Sequence, residues 1–220
     1  GVAGNVIIGT SHNDYIYEVP FYRWYDYSWS RTIYLGSEIN ATMTGAMITK
    51  LAFEQSYGGI SATNQRCYFK AVMDTKITSS AYADPVKDGA TLVWSGSYNT
   101  NNNGWVEQTL TTPFVLPPGY NLMVYWMNYD GAYDEESEWY ATYTSDYMSV
   151  YDYDDGTMPT YNGYMVNYRP NTRFYVLPIG RDDSDAVAMY SIDNPQEGTV
   201  AGTQQVKVTI KNKGIKNLTS

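Results

Sequence analysis

The chain has 220 residues, a formal net charge of −9 and a pI of about 4.5. That balance excludes a nucleic-acid partner, which needs Lys and Arg gathered on one face. Cys67 is the only cysteine, so no internal disulfide can form, and no apolar run approaches the ~20 residues of a membrane-spanning helix, so membrane insertion is not expected.

Tyrosine dominates the aromatics, with 24 against 6 Trp and 5 Phe. Tyr buries apolar area while keeping a polar tip, and it is a good strand former. Residues 1–19 hold a short apolar run, Val6-Ile7-Ile8, and then a polar loop. The stretch Pro20–Ile39 crowds rings together. From Tyr27 it settles to period two, with Tyr27, Trp29, Ile33 and Leu35 on one side and Ser28, Ser30, Thr32 and Tyr34 on the other. This alternation predicts a half-buried strand, interrupted at Arg31. Upstream, Phe21, Tyr22, Trp24 and Tyr25 follow no single period, which predicts a loop whose rings cannot all be buried.

A strand is predicted over 46–54, with Met47, Leu51 and Phe53 on one side, ending at Tyr57-Gly58-Gly59. Another is predicted over 66–74, with Cys67, Phe69, Ala71 and Met73 sharing a face; Cys67 there reads as a small core residue. Residues 75–89 form a long connection, 91–95 a short strand and 99–104 a loop. Trp105–Leu110 reads as a strand closed by Thr112-Pro113, followed by a turn through Gly119. Residues 120–128 are apolar on both sides, as in a central strand covered on both faces. Residues 128–138 are acidic, alternation returns at 139–144, and 146–168 are Tyr- and Asp-rich. Thr172–Leu177 reads as the last strand before a polar break at 180–185, where a domain boundary is placed. Beyond it, Val187, Met189 and Ile192 precede Asn194-Pro195, and Val206, Val208 and Ile210 alternate with Lys207, Thr209 and Lys211. No helix is predicted.

Ile8-Gly9-Thr10, Pro20-Phe21-Tyr22 and the run from Ile33-Tyr34 to Glu38-Ile39 together resemble the cleaved-adhesin and jelly-roll domains of secreted Bacteroidetes-type surface proteins. Trp105, Leu110, Phe114, Leu116, Gly119, Asn121, Leu122 and Val124 are similar to the late strands of galactose-binding and MAM-type jelly rolls, and Pro170-Asn171 with Arg173-Phe174 matches the same modules. Residues 185–214 resemble the first two strands of an Ig-like domain of the CARDB sort. The resemblance implies an all-β chain: a jelly-roll β-sandwich over 1–180, then a partial Ig-like β-domain over 181–220. It also implies a secreted or cell-surface location. With no initiator Met and no signal peptide, the chain reads as a processed or excised fragment.

No catalytic group is expected. His12 is the only histidine, nothing near it marks a nucleophile, and one His with one Cys cannot build a zinc site. No phosphate-binding Gly loop is present, and no pair among 23 acidic residues is singled out for glycoside hydrolysis. Asp152, Asp154 and Asp155 are spaced so that their carboxylates could hold calcium in a turn ending at Gly156, with Asp130, Asp134, Glu135 and Glu136 as a second acidic group; the alternative is a solvated acidic loop. Jelly-roll adhesion modules often carry structural calcium, which the resemblance implies here. Tyr22, Trp24, Tyr25, Asp26 and Trp29 have the mix of rings and polar groups that binds glycan, or alternatively they pack the sandwich edge. Two roles follow: a module binding glycan or a surface protein, and a structural subunit of a surface layer or fibre that shares its Val206–Lys211 strand with a neighbouring copy.

Overall fold

The computed structural model describes residues 3–39, 45–100, 103–134, 137–179, 187–194 and 207–212. In chain order the strands are β1 (Gly4–Ile8), β2 (Asp14–Ile16), β3 (Tyr27–Tyr34), β4 (Ala46–Tyr57), β5 (Ile60–Val72), β6 (Thr91–Thr100), β7 (Gly104–Leu116) and β8 (Asn121–Asn128). They continue with β9 (Glu138–Tyr143), β10 (Ser149–Asp154), β11 (Tyr164–Val166), β12 (Tyr168–Pro170), β13 (Thr172–Pro178), β14 (Val187–Asn194) and β15 (Lys207–Asn212). The described residues contain no helix. The chain divides into two units, Gly1–Pro178 and Ile179–Ser220.

The first unit is a sandwich of two antiparallel sheets. Strands β2 to β9 wind between the layers, giving the order β2-β9-β4-β7 in one sheet and β3-β8-β5-β6 in the other. That interleaving of eight strands is a jelly roll. The first sheet is enlarged by β13, inserted between β1 and β4, and by β12 beside β9; the second is extended past β3 by β10 and β11.

Between the sheets lies a core rich in rings. Phe21 stacks on Trp126 at 5.5 Å and meets Tyr98 and Trp139 edge-on at 5.3 Å each. Tyr34 meets Phe174 at 5.1 Å, and Leu51, Leu110, Leu116 and Leu122 fill the rest. A second core covers the outer face of the six-stranded sheet. There Trp29, Ile33, Tyr68, Val72, Met123, Tyr125 and Met127 are roofed by the 74–90 connection, which contributes Ile77, Tyr82, Ala83 and Ala90. Backbone-directed bonds hold the roof down: Arg31 donates to the Ser79 and Ala81 carbonyls at 3.2 and 2.7 Å, and Asn121 donates to the Asp74 carbonyl at 2.9 Å.

Two cores explain why β8 is apolar on both sides: every residue from Leu122 to Asn128 is buried. They also correct the expectation for β3. Its alternation is present, but neither face is wet, because Trp29 and Ile33 face the second core while Ser28, Ser30, Thr32 and Tyr34 are buried on the side of the first. In β4 a register shift between Ile48 and Lys50 moves Ile48 onto the core face beside Leu51 and leaves Met47 half-buried outside the core. Likewise β7 runs on through Pro113, where the sequence suggested a stop. Among the described residues β7 pairs within this sheet only with β4, and Pro113 falls in that irregular stretch, so its missing N–H interrupts no regular ladder bond.

In the second unit β14 and β15 pair antiparallel, from Val187 opposite Asn212 to Asn194 opposite Lys207. Val206 lies outside the described residues.

Candidate functional site

The side-chain hydroxyls of Ser28 and Ser30 organise the aromatic loop. Ser28 Oγ accepts from the Tyr22 backbone N–H at 3.0 Å, and Ser30 Oγ donates to the Pro20 carbonyl at 2.5 Å. These bonds fold Pro20–Tyr22 back along β3. Strand β10 pairs with the same stretch of β3, with Tyr153 opposite Ser28 and Tyr151 opposite Ser30. Opposed residues share a sheet face, so each large ring stands beside a small serine. On the other side of β10, Tyr164 of β11 sits opposite Tyr151.

The result is a contiguous patch of tyrosines. The Tyr25 and Tyr153 centroids are 4.2 Å apart, Tyr22 is 4.9 Å from Tyr153 and 5.2 Å from Tyr25, and Tyr164 is 5.7 Å from Tyr151 and 6.3 Å from Tyr153. Tyr22, Tyr25, Tyr151 and Tyr153 are half-buried and Tyr164 is exposed. Burial pushes the Tyr151 and Tyr153 phenols up, and the Glu18 carboxylate adds to this, so both remain neutral at pH 7 and can donate as well as accept. The patch therefore offers apolar ring area edged by hydroxyls.

The other sequence-predicted residues are placed differently. Trp24 is half exposed, at 50 %, and is free to meet a ligand. Asp26 adjoins the patch, its backbone N–H facing Asp155 Oδ1 at 3.5 Å. Trp29 is a correction: at 1 % exposure it belongs to the second core, with Tyr82 against it at 5.5 Å, and no ligand can stack on it without unroofing the sheet.

The aspartates of β10 and its turn spend oxygens on backbone amides. Asp152 Oδ1 accepts from Tyr153 at 2.9 Å, and Asp154 Oδ1 accepts from Gly156 at 2.6 Å and Thr157 at 3.4 Å. Asp154 thus closes the turn that the sequence offered as a cation loop. Among the described residues, no three acidic, His or Cys side chains come together as metal ligands. Of the second acidic group, Asp130 and Asp134 serve another purpose. Both pair with Arg23, at 2.8 and 3.3 Å, and Arg23 also donates to the Ala132 carbonyl at 2.6 Å and the Ser61 carbonyl at 3.2 Å. Glu135 and Glu136 lie outside the described residues.

Arg23 was missed in the sequence because its ion-pair partners, Asp130 and Asp134, lie more than a hundred positions away. Buried to 3 %, it anchors the loop that carries Tyr22, Trp24 and Tyr25. Tyr151, Tyr153 and Tyr164 were missed as neighbours of the aromatic loop for the same reason: the β3–β10 and β10–β11 registers bring them to Tyr22 and Tyr25. The one available signal was the period-two spacing of Tyr151 and Tyr153.

Comparison of the chain with protein-family models, curated proteins and solved structures finds no match to any of them.

Proposed function

We propose that the chain is a non-catalytic binding module of a secreted bacterial surface protein, and that it holds glycan against the tyrosine patch and Trp24. The observation that carries this reading is the convergence of Tyr22, Tyr25, Tyr151, Tyr153 and Tyr164 from three separate segments onto one accessible surface. Pyranose rings present C–H faces to aromatic rings, and phenol hydroxyls and nearby carboxylates answer their hydroxyls. Glycan-array screening followed by calorimetry tests it. The expected result is saturable binding to a defined glycan class that weakens on Tyr25→Ala, Tyr153→Ala or Trp24→Ala. Binding that survives all three substitutions removes the assigned surface.

A second reading, a structural subunit that shares strands, draws on β14 and β15. A two-stranded ribbon is marginal alone, and its edges accept further strands. Light scattering coupled to size exclusion separates the two readings. A concentration-independent monomer rejects strand sharing, whereas oligomers that dissociate when Thr209 is replaced by Pro support it.

A further inference from the structure

The outer face of the seven-stranded sheet carries a small hollow of about 180 Å³ lined by Ile7, Gly9, Thr10, His12, Glu54 and Trp105. Three features of the fold build it. Glu54 on β4 lies directly opposite Trp105 on β7, so carboxylate and indole share the face. Gly9 turns the chain at φ +82°, and a Cβ there would stand 2.8 Å from both Asn171 Oδ1 and Thr142 Oγ1, so only glycine lets the loop close on this corner. The loop then delivers His12, whose ring packs 4.4 Å from Tyr140 and whose Nε2 lies 3.0 Å from Glu54 Oε1.

Among the residues that line the hollow, Glu54 carries the negative charge. The Glu54 side chain is 12 % exposed. Asn171 Nδ2 donates to its Oε2 at 2.9 Å, and among the described residues its one ion-pair partner is His12, 3.0 Å from Oε1. Arg173, whose guanidinium lies 4.9 Å over the Trp105 ring, pairs with Glu107 at 3.4 Å instead. A carboxylate largely withdrawn from water and lacking a permanent counter-charge favours a cationic ligand.

We infer that this hollow is a second binding site, separate from the tyrosine patch, and that it takes the ammonium group of a lysine side chain presented by a protein partner. The ammonium would pair with Glu54 while the methylene stem lies against Ile7 and the part of Trp105 that lines the hollow. A guanidinium suits the site less well. It seeks both carboxylate oxygens at once, and here His12 and Asn171 already occupy one direction on each. The anionic chain as a whole attracts basic partners to the site.

The test titrates the full chain with Nα-acetyl-lysine methylamide, its norleucine counterpart and glucosamine, following Trp fluorescence and amide chemical shifts. The lysine compound should bind saturably, with a Kd on the order of millimolar for so few atoms. Norleucine should not bind, and Glu54→Gln should weaken the lysine compound about tenfold or more while keeping the Asn171 contact. Trp105→Leu, on the edge strand, is the second variant and should weaken it as well should Glu54→Gln prove unstable. Tyr25→Ala should leave it unchanged. The inference is overturned by an absence of saturable binding, by equal binding of norleucine, by glucosamine binding more tightly than the lysine compound, or by affinity that ignores both substitutions.

Discussion

Arg169 and Glu38 face each other through two parallel hydrogen bonds, with Nη1 to Oε2 at 2.8 Å and Nη2 to Oε1 at 2.6 Å. The same guanidinium donates to the Ile33 carbonyl at 3.1 Å and lies 5.3 Å over the Tyr34 ring, while Glu38 Oε2 also accepts the Leu35 N–H at 2.8 Å. The pair locks the turn after β3 to β12 and so ties one sheet to the other. Burial by itself would raise the Glu38 carboxyl; the hydrogen bond and charge of Arg169 more than reverse this and hold it below the usual carboxylate range. Glu38→Gln should therefore cost about 2–3 kcal/mol at pH 7, somewhat under the value for a fully buried pair. A depressed folded pKa stabilises above the unfolded value and is lost as pH falls through the folded one. Urea denaturation of wild type and variant should converge on acidification below about pH 4.3, the ordinary glutamate value.

Trp24 and Trp29 are five positions apart and should behave oppositely. Trp29→Ala empties part of the second core and should cost about 3–5 kcal/mol. Trp24→Ala removes a half-exposed ring and should shift stability by no more than about 0.5 kcal/mol. Chemical denaturation of both variants checks the contrast. Equal costs would mean that the 74–90 connection does not cover Trp29.

The contrast also marks how far the sequence could be read. Period-two spacing located β3 and β5, because side-chain facing is set within each strand, and a run apolar on both sides located β8. It could not say whether the far side of β3 meets water. Ser28, Ser30 and Thr32 read as a solvent face, yet they are buried, because small hydroxyls fit beneath other chain segments and bond to them. The roof over Trp29 was invisible because 74–90 lacks periodicity; it is held by Arg31 and Asn121 bonding to backbone carbonyls, which leave no pattern. The aromatic loop was legible as a loop, and its residues Tyr22, Trp24 and Tyr25 are accessible. Its continuation into Tyr151, Tyr153 and Tyr164 depends on a pairing between strands about 120 residues apart, which local reading cannot supply.

Cys67 is fully enclosed in the inter-sheet core, and burial pushes its thiol well above the ordinary value. The reactive species is the thiolate, so the folded chain should resist a disulfide reagent at pH 8 and react fully only in denaturant. Reagent uptake with time gives the rate of opening of the sandwich. Rapid uptake without denaturant would contradict the close packing of β5 against the facing sheet.

Tyr34 and Tyr98 are buried, and desolvation raises both phenols; Tyr82, in the roof, is pushed up to about 12 by the same cause together with nearby Tyr129 and Asp84. At Tyr34 a hydrogen bond adds to this. The single hydroxyl proton of Thr172 goes to the Pro170 carbonyl at 2.8 Å, so Tyr34 Oη is the donor in its 2.7 Å contact with Thr172 Oγ1. Ionising Tyr34 would set a phenolate against a lone pair. A raised folded pKa stabilises fully below the unfolded value, near pH 10, and that stability is lost as pH climbs beyond it. Absorbance titration at about 295 nm should show Tyr34 and Tyr98 ionising only as the sandwich unfolds at high pH. Tyr34→Phe should cost about 1 kcal/mol at neutral pH through the lost hydrogen bond, and should move the alkaline unfolding midpoint upward by removing one buried acid. An unchanged midpoint would place the alkaline weakness at other tyrosines of the core.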